Sequence, residues 1–197
     1  MMKYNNIVLR YIKESDINDY VRWITIETEW RRWDAPWRNV NTEQFIEKRK
    51  SYLRETPIVY NSLEIDTLDG QHIGWVASCK SGINMEKTAI GIGIPPVNAR
   101  GKGYGKNALV LFMAYLFNYE NTLYAETWSG NLPMVSLAEK IGFIENSRDK
   151  NSRKVNGKKF DTIIFSMSKD DFMVKYAHLH TLCTPHKADN MPLYKQV

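Results

Sequence analysis

The chain has 197 residues, a net charge of +5 and 43% apolar side chains, with six tryptophans and eleven tyrosines. A chain of this length removes roughly 70% of its accessible surface from water on folding, enough for one full core. The composition excludes fibrous and disordered classes, and the longest apolar run, Ala108 to Phe117, is far short of a bilayer span.

The opening MMKYNNIVLRYIKESD holds no hydrophobic signal segment, and Cys79 and Cys183 suggest no disulfide framework. A cytoplasmic protein without membrane contact is expected. The modest positive excess suits an anionic ligand, but it also merely aids solubility, so nucleic acid is not indicated.

In chain order, NIVLRYI (6–12) predicts a first strand. ESDINDYVRWITIETEW predicts a helix with Ser15 as N-cap. NTEQFIEKRKSYLRE predicts a second helix, capped by Thr42, with Phe45, Ile46 and Leu53 at helical spacing and Pro57 as its stop. The period then changes. IVYNSLEIDTLDGQHIGWVASCK predicts two strands joined at Leu68-Asp69-Gly70-Gln71, and TAIGIGIPP another strand ended by two prolines.

YGKNALVLFMAYLFNYE predicts a buried helix through Ala108, Leu109, Leu111, Phe112, Tyr115 and Leu116. NTLYAETW predicts a strand. NLPMVSLAEKIGF predicts a short helix capped by Asn131 and ended at Gly142. A closing hairpin turns at Asn156-Gly157. The order β-α-α-β-β-β-α-β-α-β-β is a single α/β (α+β) domain over 1–167, followed by an extension, 168–197, of a short helix and an irregular tail.

NARGKGYGKNAL (98–109) sets three glycines among three cations just before the buried helix. Unpaired N–H groups and the positive end of the dipole make a helix N-terminus a phosphate site. Glycines let the backbone approach the anion closely. Gly101, Gly103 and Gly105 offer that approach, and Arg100, Lys102 and Lys106 add charge. A Walker A loop fails twice, because Arg100 stands at its first glycine and Asn107 at its Ser/Thr. A dinucleotide fingerprint fits the letters from Gly103 to Ala108. It lies too far from its strand, however, which disfavours a dinucleotide-binding enzyme.

The third pattern, Q/R-x-x-G-x-G/A, fits completely as Arg100-Gly101-Lys102-Gly103-Tyr104-Gly105. With its strand and helix it closely resembles the acetyl-CoA-binding motif of the GNAT acetyltransferases, and the Asn131 to Phe143 segment resembles that family's N-x-x-A-x-x-L-Y-E-K-L-G-F. The element order agrees from about Ile7 to Met167. The look is closest to the ribosomal-protein N-terminal and polyamine acetyltransferase branch.

The resemblance implies a mixed central sheet of about seven strands flanked by helices, with two strands splayed around acetyl-CoA. Ile92, Gly93 and Ile94 would run along the pantetheine arm, Arg100, Gly101, Lys102, Gly103, Tyr104, Gly105 and Lys106 would cradle the pyrophosphate, and Asn131 would stand near the pantetheine. No metal is implied. The reaction would be direct acetyl transfer to a primary amine, a small molecule or a peptide N-terminus. Only the neutral amine attacks, and an alkyl ammonium has a pKa of about 10.4, so a base must act.

The sequence departs from the family at the general acid. The family tyrosine aligns with Ala138, and the serine of some relatives aligns with Met134. Ser136, Tyr124, Tyr104 or a water would substitute; otherwise the chain binds acyl-CoA with little or no transfer. Glu126 and Glu64 lie on central strands and are the candidate bases, Glu126 preferred because its strand borders the implied acyl site.

Trp23, Trp30, Trp33 and Trp37 cluster with Glu27, Glu29 and Asp34 where the family walls its acceptor pocket. Either they are core, or Trp30, Trp33 and Glu29 receive an ammonium by cation–π and charge contact. HLHTLCTPH (178–186) matches no zinc spacing. RDKNSRKVNGKK fits a solvated hairpin tip. A homodimer is compatible with the exposed strands.

Overall fold

The strand expected from Asn6 is one half of a hairpin. In the computed structural model, which describes residues 1–55, 57, 59–81 and 86–179, β1 (Met2–Tyr4) pairs antiparallel with β2 (Ile7–Arg10). Asn5 takes the left-handed conformation at the turn (φ 48°), which asparagine tolerates better than most residues. This hairpin adds an eighth strand to the roughly seven expected. The first helix is also shorter than expected. α1 (Asp16–Thr25) stops in the β-branched stretch Ile24-Thr25-Ile26, and a 3-10 turn (Thr28–Arg32) carries Trp30 onward. Ser15 holds the N-cap position without a side-chain cap bond. The cap of α2 (Thr42–Tyr52) is Asn41, not Thr42: its side chain accepts from the Gln44 N–H at 3.0 Å.

β3 (Ser62–Thr67), β4 (His72–Lys80) and β5 (Thr88–Gly93) form an antiparallel meander. Its first turn uses Gly70 at φ 86°. α3 (Tyr104–Leu116) then crosses one face and leads to β6 (Thr122–Trp128), which lies parallel to β5. α4 (Leu132–Ile141), β7 (Ile144–Val155), β8 (Lys158–Ser168) and α5 (Lys169–Lys175) complete the chain. Asn156 (φ 48°) and Gly157 (φ 78°) make the expected β7–β8 turn. The sheet order is β1-β2-β3-β4-β5-β6-β8-β7.

The sheet separates two cores. On one face α3 is buried along nearly its whole length. It packs with Ile90 of β5, Leu123 and Ala125 of β6, and Ala138 and Ile141 of α4. On the other face Tyr20, Trp23 and Ile24 of α1 meet Trp30 and Trp75, with Phe45 and Ile46 of α2 against them. The first core continues past residue 167: Phe172, Tyr176 and Leu179 are buried in it, and the Tyr176 hydroxyl donates to the Ile141 carbonyl at 3.0 Å. His178 contacts the Tyr4 hydroxyl at 3.0 Å. The remainder of the extension, with Cys183 and His186, lies outside the described residues. No helix among the described residues is long and apolar enough to cross a membrane.

Candidate active site

β5 and β6 are paired only at Thr88–Leu123 and Ala89–Tyr124. Beyond those two pairs β5 stays with β4 as far as Gly93–Trp75, and β6 stays with β8 as far as Trp128–Thr162. The two parallel strands therefore diverge, and a wedge opens toward the start of α3. The hydroxyl Oγ1 of Thr127, on the diverging part of β6, is buried and has no hydrogen-bond partner among the described residues. A buried hydroxyl left unpaired costs free energy, so a ligand group bonded there would be favoured.

The glycine loop closes the wide end. Gly101 (φ 75°) and Gly103 (φ 81°) are both left-handed, and Gly103 is the N-cap of α3. That conformation is costly for a residue with a Cβ. No atom lies within 4 Å of where a Cβ would stand on either, so the surface above them is open. The first bond of the helix is Asn107 N–H to the Gly103 carbonyl. Among the described residues, the amide N–H groups of Gly101 and of Gly103 to Lys106 have no acceptor, while that of Lys102 closes the turn through Arg100 and Gly101. Lys102 and Lys106 are exposed beside them. Asn6 steadies the loop, bonding Asn107 at 2.7 Å and the Lys102 carbonyl at 3.3 Å.

Arg100 does something else. Its Nε donates to the Ile94 carbonyl at 2.8 Å, its Nη2 to the Pro95 carbonyl at 2.7 Å, and its Nη1 to Glu29. It ties the end of β5 to the loop, while Lys102 and Lys106 have no ion-pair partner among the described residues. The bond from Arg100, more than any other influence, holds the Glu29 carboxyl below its ordinary range. Arg32 adds a second contact at 2.6 Å. Glu29, expected to receive an ammonium, is thus engaged by two arginines.

The other expected acceptor residues divide. Trp30 is buried in the second core, its indole N–H bonded to the Trp23 carbonyl at 2.9 Å. Trp33 is half-buried and its carbonyl accepts from Trp128 at 2.9 Å. Trp75, which the sequence reading did not single out, is buried in the same core and covers the end of β5: a Cβ on Gly93 would lie 2.5 Å from its ring. β6 alternates, with Leu123 and Ala125 in the α3 core, so Tyr124, Glu126 and Trp128 face the α1 and α2 side. Glu126 is half-buried and accepts from the Ser81 hydroxyl. Lys87 lies 4.7 Å from the Tyr124 ring centre. On α4, Ala138 is fully buried in the core, while Ser136 is half-buried without a hydrogen-bond partner among the described residues. Asn131 caps α4, accepting from Met134 N–H at 3.2 Å.

Glu64, the second candidate base, is 1% exposed and accepts from the Tyr20 hydroxyl at 2.6 Å and from His72 Nε2 at 2.9 Å. The other ring nitrogen of His72 lies 2.9 Å from Asp19. Arg10 joins the set, gripping Asp16 through both terminal nitrogens at 2.6 and 2.9 Å and Asp66 through Nε at 2.5 Å. Burial works against charge on His72, but Glu64, Asp16 and Asp19 outweigh it and raise its pKa. Asp16, Asp19 and His72 have ligand atoms close enough to share a metal ion. The Asp16 oxygens are already taken by Arg10 and the Lys13 N–H. Glu64 is part of this network linking α1 to the sheet.

A divergent pair of parallel strands, with a left-handed glycine loop and free N–H groups at the next helix, is the arrangement expected from the motif. The sequence model of the acetyltransferase (GNAT) domain matches residues 6–144. The chain belongs to the GNAT acetyltransferases. A GNAT-family acetyltransferase from Bacillus anthracis superposes with a TM-score of 0.67 at 17% identity, covering 86% of this chain and 98% of that one. Spermidine N-acetyltransferase from Vibrio cholerae, solved with CoA and spermine, gives 0.67 at 14% identity over 85% and 98%. RimL, a ribosomal L7/L12 alpha-N-protein acetyltransferase solved with CoA, gives 0.65 at 14% identity over 85% and 97%. At such identities the likeness is one of fold. No curated protein matches the sequence.

Proposed function

We propose that this GNAT protein transfers an acetyl group from acetyl-CoA directly to a primary amine bound in the same complex. The observation that carries the reading is the set of acceptorless N–H groups from Gly103 to Lys106, with that of Gly101, at the mouth of the β5–β6 wedge. Four donors at the helix N-terminus, with Gly101 N–H before them and Lys102 and Lys106 beside them, suit a pyrophosphate. The buried Thr127 hydroxyl suits a polar group of the pantetheine chain, and the edge of β5 along Ile92, Gly93 and Ile94 suits its amides. Acetyl-CoA supplies the activated acyl carbon.

The chain's own residues supply the rest. Glu126 is the base: its carboxylate, held by Ser81, faces the side from which the amine arrives and takes the ammonium proton. Backbone N–H groups at the free edge of β5 offer donors to the oxyanion. The departing thiolate takes its proton from a hydroxyl, with Tyr124 and Ser136 the candidates. Because Ala138 is sealed in the core, no acid comes from the family's tyrosine position.

Calorimetric titration with acetyl-CoA tests the cradle. The wild type binds, and the Gly103→Glu, Gly105→Glu double variant, with unchanged circular dichroism, does not. A thiol-detection assay over an amine panel then tests transfer. Binding without CoA release from any amine leaves an acyl-CoA-binding protein, the reading that Ala138 and Met134 favour. A folded wild type that does not bind acetyl-CoA overturns both.

A further inference from the structure

We infer that the acceptor amine also carries an anionic group, and that Arg49 binds it; this rests on the acetyl-transfer reading above. Arg49 is 8% exposed, on the inner side of α2. Its guanidinium carbon lies 4.5 Å from the ring centre of Trp75, 4.6 Å from Tyr20, 5.2 Å from Phe45 and 5.9 Å from Tyr52. The cation therefore fills the aromatic cluster that would otherwise suit an ammonium.

Arg49 also lacks what five other arginines of the protein have. Arg10, Arg22, Arg32, Arg100 and Arg148 each hold a carboxylate. Among the described residues no carboxylate lies within 4.0 Å of Arg49, and of its five N–H donors one is used, Nη1 to the Ser62 hydroxyl at 3.2 Å. Asp34 stands outside ion-pair distance of Arg49; desolvation by the surrounding chain raises its carboxyl, against the pull of Arg38 and Arg49, so it is a poor counter-charge although its surface is open to solvent. A buried cation without a counter-charge is costly, and a bidentate anion relieves that cost.

The sheet beneath it has the matching shape. Ser62, Ala77 and Gly91 pair in one row across β3, β4 and β5. A Cβ on Gly91 would meet nothing within 4 Å. The Ala89–Tyr124 pair carries the same row on to Glu126, two residues further along each diverging strand. Three small residues thus lie in one row, with Arg49 bonded to Ser62 at one end and Glu126 beyond the other. Ser62 and Gly91 are two strand spacings apart, about 10 Å. The Cys79 thiol, two residues beyond Ala77, is pushed up by burial and by the charge of Glu126, while the charges of Lys48 and Arg38 oppose it. An ammonium toward Glu126 and an acid toward Arg49 complement both ends. A second ammonium, as in a polyamine, would meet Arg49 as a like charge.

The test compares γ-aminobutyrate, its amide, putrescine and O-phosphoethanolamine as acceptors for the wild type and for Arg49→Met, which keeps bulk in the aromatic cage. The wild type should use γ-aminobutyrate or O-phosphoethanolamine over the amide and putrescine by roughly thirtyfold or more in kcat/KM. In Arg49→Met that preference should fall to near unity. Which of the two acids leads distinguishes a carboxylate site from a phosphate site. Equal or better use of the amide or putrescine by the wild type overturns the inference, without touching acetyl transfer itself. If no amine in the panel is acetylated, calorimetry with N-acetyl-γ-aminobutyrate and its amide in the presence of CoA decides the matter. Binding that needs the carboxylate upholds the anion site though the transfer reading fails; equal or absent binding overturns it.

Discussion

Single residues in the loop have separable jobs. Gly103 and Gly101 are required by their positive φ, whereas Gly105 lies in the helix, where an added Cβ would make ordinary contacts of 3.5 to 3.8 Å with Ile94, Ile92 and Leu137. Gly103→Ala should therefore cost about 1–2 kcal/mol in backbone strain and weaken acetyl-CoA binding. Gly105→Ala should leave binding within about threefold; calorimetry on both variants checks the contrast. Both glycines read alike in the sequence, and only the dihedrals separate them. Arg100 reads as a phosphate cation, yet its donors go to two carbonyls and Glu29. Glu126→Gln should lower kcat by about a hundredfold or more while the KM for acetyl-CoA holds. Steady-state kinetics shows whether it does.

Two contacts between elements govern stability. The first is the buried network that joins α1 to β2, β3 and β4. His72 faces Glu64, Asp19 and Asp16, with Arg10 behind them, and its pKa is raised above the ordinary 6.5. The stability it contributes is full below 6.5 and is lost as pH rises through the folded-state value. Asp16 has the opposite sense. Burial opposes its charge, but Arg10 and the Lys13 N–H prevail and lower its pKa, so its contribution is present above its ordinary 3.8 and is lost as pH falls. Urea denaturation of wild type and His72→Gln at several pH values should show an alkaline decline that the variant lacks. The second is the seating of α5, where Phe172 is fully buried with its ring centre 5.0 Å from that of Phe117. Phe172→Ala should cost about 3–5 kcal/mol, read from the same denaturation curves. Helical spacing in the sequence foretold α3 and α4 well. It misread α2, where Arg49 takes a buried position and Leu53 is left exposed, because a cation at helical spacing reads as solvent-facing. The clue was its place, four residues after Phe45.

The whole molecule is one sheet pried apart in the middle, and ligand binding should tighten it. With acetyl-CoA at about a hundred times its Kd, linkage adds about 2.7 kcal/mol of stability, a Tm rise of roughly 5–10 °C for a chain of this size. NAD or NADP should give no such rise, and differential scanning calorimetry distinguishes the two. The sequence by itself determined the order of elements, the glycine loop, the capped α4 and the family. Those signals are local: turn residues, caps, periodicity and a motif within a dozen positions. The tertiary structure alone decided which groups meet. It put Trp30 and Trp75 in one core with Trp75 against Gly93, bound Glu29 to Arg100 and Arg32, set Glu64 in an ionic network, and left Arg49 over a row of small residues facing Glu126. Sheet register brings together residues more than sixty positions apart. Whether a charge is free or spent depends on a partner that no local pattern names.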